Sequence, residues 1–366
     1  MQISEIVRYL DQAIPKALQE DYDNVGLLVG NTSSACTGIL TTLDVTEEVL
    51  DEAIQKGCNL IVSHHPVIFK GLKQLTGKNY VERIVIKAIQ HQIALYAMHT
   101  NLDNHPEGVN LRLAQILGLH SIQILQPKSL VLGKLVVFVP IHSTEIVKEA
   151  LFKAGAGTVG NYDECSFQVT GTGEFKGNDQ SNPTVGEPGV RESTDENRLE
   201  VIYPLYLESS IVKALLQAHP YEEVAYDLIP LRNSWTQVGS GAVGLLPEEM
   251  EVEQFLSYVG QKMDINNIRF TTGFTGKVKK VAVCGGVGSF LIKSALYSGA
   301  QAFITSDVKY HEFFDAENKL LVADIGHYET EKHTKALIKD ILTKKFTNIA
   351  VYLSEKITNP IGYFTL

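Results

Sequence analysis

The sequence predicts a mixed-sheet α/β protein whose core domain is discontinuous, interrupted by an inserted ferredoxin-like α+β domain. In residues 1–129 and 234–366, short apolar runs alternate with amphipathic stretches of helical period, the order expected of a parallel or mixed sheet covered by helices. In 130–233 the order becomes strand, helix, strand, strand, helix, strand, a split βαβ unit large enough to carry its own core. A chain of 366 residues has room for roughly two or three cores. Its 44% apolar and 20% charged content is the balance of a folded globular protein rather than a disordered one.

Taken in order, Ile3, Ile6, Val7, Leu10 and Ile14 recur at three- and four-residue spacing and predict an amphipathic helix that stops near Pro15. Val25 to Gly30 and Gly38 to Val45 read as strands, with Thr46 placed to cap the helix that follows. Leu60-Ile61-Val62 is a third strand, ending in Ser63-His64-His65-Pro66. Residues 80–91 predict a helix, Ile93 to Met98 a strand ending in His99-Thr100-Asn101-Leu102-Asp103, and Val109 to Leu117 a helix. In the insert, strands are expected at 135–141, 165–174, 199–206 and 223–228, with helices at 143–153 and 209–218. The tip between the middle strands, Gly177 to Arg198, is rich in Gly, Asn, Ser, Pro and acidic residues and reads as a solvated, mobile loop, with a lid as the alternative. Beyond Trp235 come a strand near 241–245, a helix at 252–263, and strands at 280–284, 299–304 and 320–325. The last two are followed by Thr305-Ser306-Asp307 and by Gly326-His327-Tyr328-Glu329-Thr330-Glu331.

Composition narrows the function. Net charge is −10 with a pI near 5.6 and no Lys/Arg cluster stands out, which argues against a nucleic-acid partner. Cys36, Cys58, Cys165 and Cys284 are widely spaced with no CxxC pair, so a reduced, cytoplasmic protein is expected rather than a disulfide scaffold or zinc ribbon. The opening residues lack the apolar core of a signal peptide, and no later run reaches transmembrane length, so no membrane association is expected.

The chemistry concentrates at strand ends. Adjacent imidazoles on a continuous strand point to opposite faces, so His64 and His65 serve one site only where the pleat breaks, as Pro66 favours. Asp103 follows the next strand. His327 and Glu331 stand four apart at the start of a helix expected to run through Leu337, so they share one face. Ligands of open α/β sheets gather at the carboxyl ends of strands. Three imidazoles and two carboxylates suit zinc, iron or manganese. Five donors exceed one tetrahedral ion with an open position, so two divalent metal ions are expected, with Glu331 as the bridge. His99 reads as an orienting partner or a core histidine; His91, His105, His120, His142, His219 and His333 read as surface or structural residues. Gly285, Gly286, Gly288 and Ser289, between a strand and a helix, form either an anion-binding nest for a phosphate or a turn that needs glycine dihedrals. Asp307 and His311 are candidates for proton transfer or substrate contact, or else a helix cap and an exposed helix residue. Gly71 to Asn79 is not a Walker loop: five residues separate its glycines, and Asn79 stands where Ser or Thr is needed.

Together, SHHP at 63–66, HTNLD at 99–103, CGGVGS at 284–289 and GHYETE at 326–331 resemble the Nif-three family, whose members carry the name GTP cyclohydrolase 1 type 2 homologue. NYDECSF and HPYEEVAYDLIPL in the insert resemble the PII- and CutA-like domain of the longer bacterial members. The resemblance implies a dinuclear centre, zinc first among the metals, on His64, His65, Asp103, His327 and Glu331, and a toroidal homohexamer with its sites facing an internal cavity. It also implies a purine nucleotide such as GTP as substrate, with a metal-activated water attacking C8 and opening the imidazole ring. The expected function is therefore a metal-dependent hydrolase of the GTP cyclohydrolase kind. The alternative is a metal-binding regulatory or scaffold protein in which the insert senses a small molecule or mediates assembly.

Overall fold

The computed structural model describes residues 1–364. The chain divides into two compact units, one formed by 1–126 with 237–366 and the other by 127–236.

The first half of the larger unit builds a five-stranded sheet. Helix α1 (Ile3–Ala13) buries Ile3, Ile6 and Leu10 and is followed by strands β1 (Gly26–Val29) and β2 (Ile39–Thr42). Helix α2 (Glu47–Gln55) starts at Thr46, whose hydroxyl accepts from Val49 N at 3.3 Å. Then come β3 (Leu60–Ser63), α3 (Tyr80–Gln90), β4 (Ala94–Ala97), the single turn α4 (Thr100–Asp103) and α5 (Val109–Ile116). The sheet order is β1, β4, β3, β2, with a late strand beyond β2, and β4, β3 and β2 are parallel. Alternate residues of these strands face opposite helical layers: Ile39, Leu60, Val62 and Tyr96 pack with α1, and Leu40, Ile61 and Leu95 with α2 and α3. Leu60 is fully buried, so truncating it to Ala would cost about 2–5 kcal/mol.

The smaller unit follows β5 (His120–Ser129). It runs β6 (Leu132–Pro140), α6 (Thr144–Lys153), β7 (Ser166–Lys176), β8 (Arg191–Pro204), α7 (Glu208–Ala218) and β9 (Tyr226–Leu231). The four strands form one antiparallel sheet in the order β7, β8, β6, β9. Leu135, Val137, Val139, Leu199 and Val201 meet Val147, Leu151, Ile211 and Leu215 of its helices in a separate core. Residues 191–198, expected in the loop, extend β8 and pair with β7. Their polar composition conceals the strand because pairing with β7 rather than an apolar pattern holds this stretch, and the two residues it buries, Glu196 and Asn197, are themselves polar.

The remainder returns to the larger unit: β10 (Ser234–Met250), α8 (Val252–Met263), β11 (Arg269–Phe270), β12 (Val278–Val287), α9 (Ile292–Tyr297), β13 (Ala302–Ser306) and β14 (Leu321–Asp324). Last come α10 (His327–Glu331), α11 (Thr334–Lys345) and β15 (Val351–Leu353), the strand that extends the first sheet beyond β2. A six-stranded sheet runs β11, β14, β13, β12, β10, β5, parallel at β12, β13 and β14. The helix expected from His327 through Leu337 is interrupted after one turn, so α10 carries its two candidate donors separately from α11. Strands β2, β3 and β4 of one sheet and β13 and β14 of the other each end one to three residues before a polar side chain of the site described next.

Candidate metal centre

At the end of β3 both His64 N and His65 N donate to Leu43 O, at 3.2 and 3.0 Å, and Ser63 Oγ donates to His65 O at 2.9 Å. The strand pairing therefore stops, and the two rings lie 4.8 Å apart between centroids instead of on opposite faces. Each imidazole is fixed through Nδ1. His64 meets Met98 O at 2.8 Å, His65 meets Asp44 Oδ1 at 2.7 Å, and His327 meets Asp307 Oδ2 at 2.6 Å. His99 is held the same way by Asp23 Oδ1 at 2.8 Å, while Thr100 N and Oγ1 donate to the other oxygen of Asp23. An acceptor at Nδ1 sets the tautomer so that Nε2 presents its lone pair, the arrangement that metal-binding histidines use.

The Nε2 atoms of His64, His65 and His327 converge on Glu331. Its Oε2 lies 3.0 Å from His65 Nε2 and 3.1 Å from His327 Nε2, and its Oε1 is 3.7 Å from His64 Nε2. Asp103 Oδ1 is 3.6 Å from the same His64 nitrogen. Donor atoms close enough to share an ion form the groups His64, Asp103, Glu331 and His65, His327, Glu331, and a third of His64, His65, His99. The first two have Glu331 in common. His64 is fully buried, and its Nε2 and Asp103 Oδ1 are shut off from solvent without a hydrogen-bond partner. Buried polar atoms are normally paired, so these two mark a place where another partner belongs.

The electrostatics agree. Burial pushes His64 down to about 4, leaving it a neutral donor. Burial also opposes charge on His65 and His327, but Asp44 and Glu331 outweigh it at the first and raise it to about 10, and Glu331 and Asp307 raise the second to about 9. Burial and the nearby Glu331 carboxylate push Asp103 well above the usual carboxylate range. Glu331 is held well below that range: burial acts against its charge, and the imidazoles of His64, His327 and His65 prevail. Protons thus supply the positive charge that a cation would bring.

The glycines explain how Glu331 fits. A Cβ at Gly285 would lie 2.8 Å from Val109 Cγ1, and one at Gly286, where φ is +63°, would lie 2.4 Å from Glu331 Oε1. Gly285 N donates to Asn110 Oδ1 and Gly286 N to Thr330 Oγ1, each at 3.0 Å, so these two N–H groups already have acceptors. Gly288 precedes a short 3₁₀ turn that Ser289 opens, and the Ser289 hydroxyl bonds Glu312. Asp307 adopts φ +54°, a left-handed conformation that costs energy in a non-glycine residue and aims its carboxylate at His327. His311 lies in the 3₁₀ segment Tyr310–Ala316, its ring 5.2 Å from Tyr310 and 6.4 Å from Phe314. In the loop that mimics a Walker motif, the Glu82 carboxylate accepts from Thr76 N at 2.8 Å and Lys78 N at 3.2 Å, occupying the place a phosphate would take.

A cavity of about 650 Å³ opens over the centre, with Tyr22, Phe69, Tyr80 and His99 among its walls and Asp103 and Glu331 at its base. Sequence reasoning missed Asp44 and Asp23. Asp44 sits two residues past β2 and obeys the strand-end rule that exposed the other donors; Asp23 lies in a loop with no such signal. It also missed Thr358, whose hydroxyl donates to Asp44 Oδ2 at 2.6 Å from the extended C-terminal segment.

A family model described as Duf34/NIF3 (NGG1p interacting factor 3) matches residues 1–360. A GTP cyclohydrolase 1 type 2 homolog of Bacillus subtilis is 38% identical across 98% of this chain and 98% of its own length. One from Halalkalibacterium halodurans is 41% identical across 93% and 91%. Among solved structures, a Bacillus cereus protein related to NIF3 superposes with a TM-score of 0.86 at 38% identity, covering 100% of this chain and 99% of its own. A Staphylococcus aureus protein gives 0.79 at 33% identity, with coverage of 100% and 99%.

Proposed function

The chain belongs to the Duf34/NIF3 family, and from that premise we propose that it holds two divalent metal ions and uses them in hydrolysis. The observation that carries the reading is the convergence on Glu331. One oxygen lies toward His64, next to Asp103, and the other toward His65 and His327, so a single carboxylate can serve two neighbouring positions. His64 and Asp103 would hold one ion, His65 and His327 the other, with Glu331 between them. One position offers one imidazole and two carboxylates and the other two imidazoles and one carboxylate, a mixed N/O set that favours zinc, with iron and manganese also suited. When bound, such a pair lowers the pKa of a water to about 7 and polarises the group it attacks.

The residues supply the rest. Asp44, Asp307 and the Met98 carbonyl hold the three imidazoles in the tautomer that leaves Nε2 free. Of the two proton-transfer candidates, Asp307 is tied to His327 and serves first to orient it, while His311 packs with Tyr310 and Phe314. The relatives' name directs the substrate toward a purine nucleotide such as GTP, but the expected phosphate contact at Gly285 to Ser289 is weakened, since Gly285 N, Gly286 N and the Ser289 hydroxyl already have protein partners. Family likeness extends the proposal to a cytoplasmic toroidal homohexamer, and the strand order β7, β8, β6, β9 with two helices supports a ferredoxin-like insert. No helix among the described residues is long and apolar enough to cross a membrane.

One observation favours the second reading, a metal-binding regulatory or scaffold protein. Among the described residues, the cavity walls include Asp44, Asp103 and Glu331 but no lysine or arginine, so they bring no fixed cation to a triphosphate there. Metal analysis of the purified protein, paired with nucleotide turnover with and without chelator, tests both. Two ions per chain and chelator-sensitive loss of the guanine chromophore support the hydrolase. Full metal occupancy without turnover of any nucleotide, across zinc, manganese and iron forms, would shift the assignment to the scaffold.

A further inference from the structure

We propose that the insert carries a separate binding site for a small organic cation, in the cavity between the end of the β7–β8 hairpin and the turn joining α7 to β9. The cavity holds about 390 Å³, within the range of small-molecule sites. Residues 177–190, whose composition reads as a solvated loop, are folded down to make one wall. Asn182 N donates to Glu222 Oε1 at 2.8 Å, Thr184 Oγ1 donates to Pro220 O at 3.0 Å, and Gly189 N closes the loop onto Gly177 O at 2.9 Å.

Charge and chemistry decide what the site would take. Four carboxylates line it, on Glu174, Glu196, Glu222 and Glu223, against the single ammonium of Lys176. Glu196 is only 9% exposed, and no ion pair of the insert reaches it among the described residues. Space is reserved for it: a Cβ at Gly173, on the neighbouring strand, would sit 2.3 Å from Glu196 Oε2. A cation in the cavity would give this carboxylate the charged partner that no ion pair of the insert supplies. Beside it, the Tyr221 hydroxyl is closed off from solvent and faces the Glu196 carboxylate and Thr194. Burial, and then the Glu196 carboxylate, push this phenol up to about 12, so it stays neutral and can accept from an N–H. The rings of Tyr221 and Phe175, 6.3 Å apart and inclined at 53°, supply aromatic faces.

An enclosed carboxylate with two aromatic rings is the setting that recognises ammonium groups through charge-assisted hydrogen bonding and cation–π attraction. A metal ion fits poorly: among the described residues, none of the donor groups close enough to share an ion lies in the insert. An anion would face a net excess of carboxylates.

Titration of the full-length protein with choline and with putrescine, followed by calorimetry and ligand-observed NMR, tests the proposal, with succinate as the anionic control. The expected result is saturable one-to-one binding of at least one cation and none of succinate, weakened about tenfold by Glu196→Gln, the loss of one charge-assisted contact. Lys176→Glu, on the exposed wall, leaves the buried carboxylate untouched and should tighten binding several-fold through added charge. Failure of both probes to bind at millimolar concentration, or an affinity that neither substitution changes, would overturn the site. Metal content, set by residues of the other unit, should stay constant throughout.

Discussion

Gly286 and Glu331 are fitted to each other: a Cβ at 286 would stand 2.4 Å from Glu331 Oε1, and the φ of +63° there is one that side chains avoid. The glycine loop after β12 thus makes room for the carboxylate that two donor groups share. Gly286→Ala should weaken metal retention at least tenfold while the helices and sheets persist. Chelator competition followed by metal analysis reads the loss, and circular dichroism checks the fold. Unchanged retention would separate the glycine from the metal centre.

Asp44 ties the C-terminal segment to the centre, accepting from Thr358 and from His65 Nδ1. Asp44→Ala should lower metal affinity about 10- to 100-fold, the usual effect of removing the group that orients a ligating histidine. Thr358→Ala, which leaves the carboxylate in place, should lower it far less. Equal effects of the two substitutions would contradict the ordering.

Metal uptake should release protons. In the metal-free chain His65 and His327 are raised to about 10 and 9, so at pH 7 both are protonated and must lose that proton to bind. Apparent affinity should therefore climb as pH rises from 7 toward 9–10. The sign for stability is the reverse. Raised histidines stabilise the metal-free fold most below their unfolded value, near 6.5, and that contribution fades as pH rises through 9–10. Zinc titrations in buffers of different ionisation enthalpy count the protons, roughly two per fully loaded chain; zero would refute the charge assignment.

Asp23 should stabilise the fold in a pH-dependent way. Burial acts against its charge, but the hydrogen bonds from His99 and Thr100 hold its carboxyl well below the usual range. A depressed carboxyl contributes above its unfolded pKa, near 3.9, and loses that contribution as pH falls through the folded value. Asp23→Asn should cost about 1–3 kcal/mol at pH 7, since Thr100 loses its acceptor's charge, and less as pH approaches 3. Urea melts at pH 7 and pH 3 make the comparison; an equal cost at both values argues against ionisation as the source.

The chain's own order determines much of this protein. Continuous apolar runs such as Leu60-Ile61-Val62 face two helical layers because both sides of a parallel strand are covered. The 327/331 spacing is local, and one helical turn suffices to align its two donors. Other features arise only when distant segments meet. Edge strands β5 and β15 bury too little to leave a clear pattern and are held by neighbours in the sheet. Residues 191–198 read as loop until β7 pairs with them. The contact of Thr358 with Asp44 spans 314 residues, and that of Asp23 with His99 spans 76. Periodicity reports which face of an element is apolar, because that depends on near neighbours in the chain. It is silent on which polar group will stand opposite an imidazole, because that partner is chosen by packing.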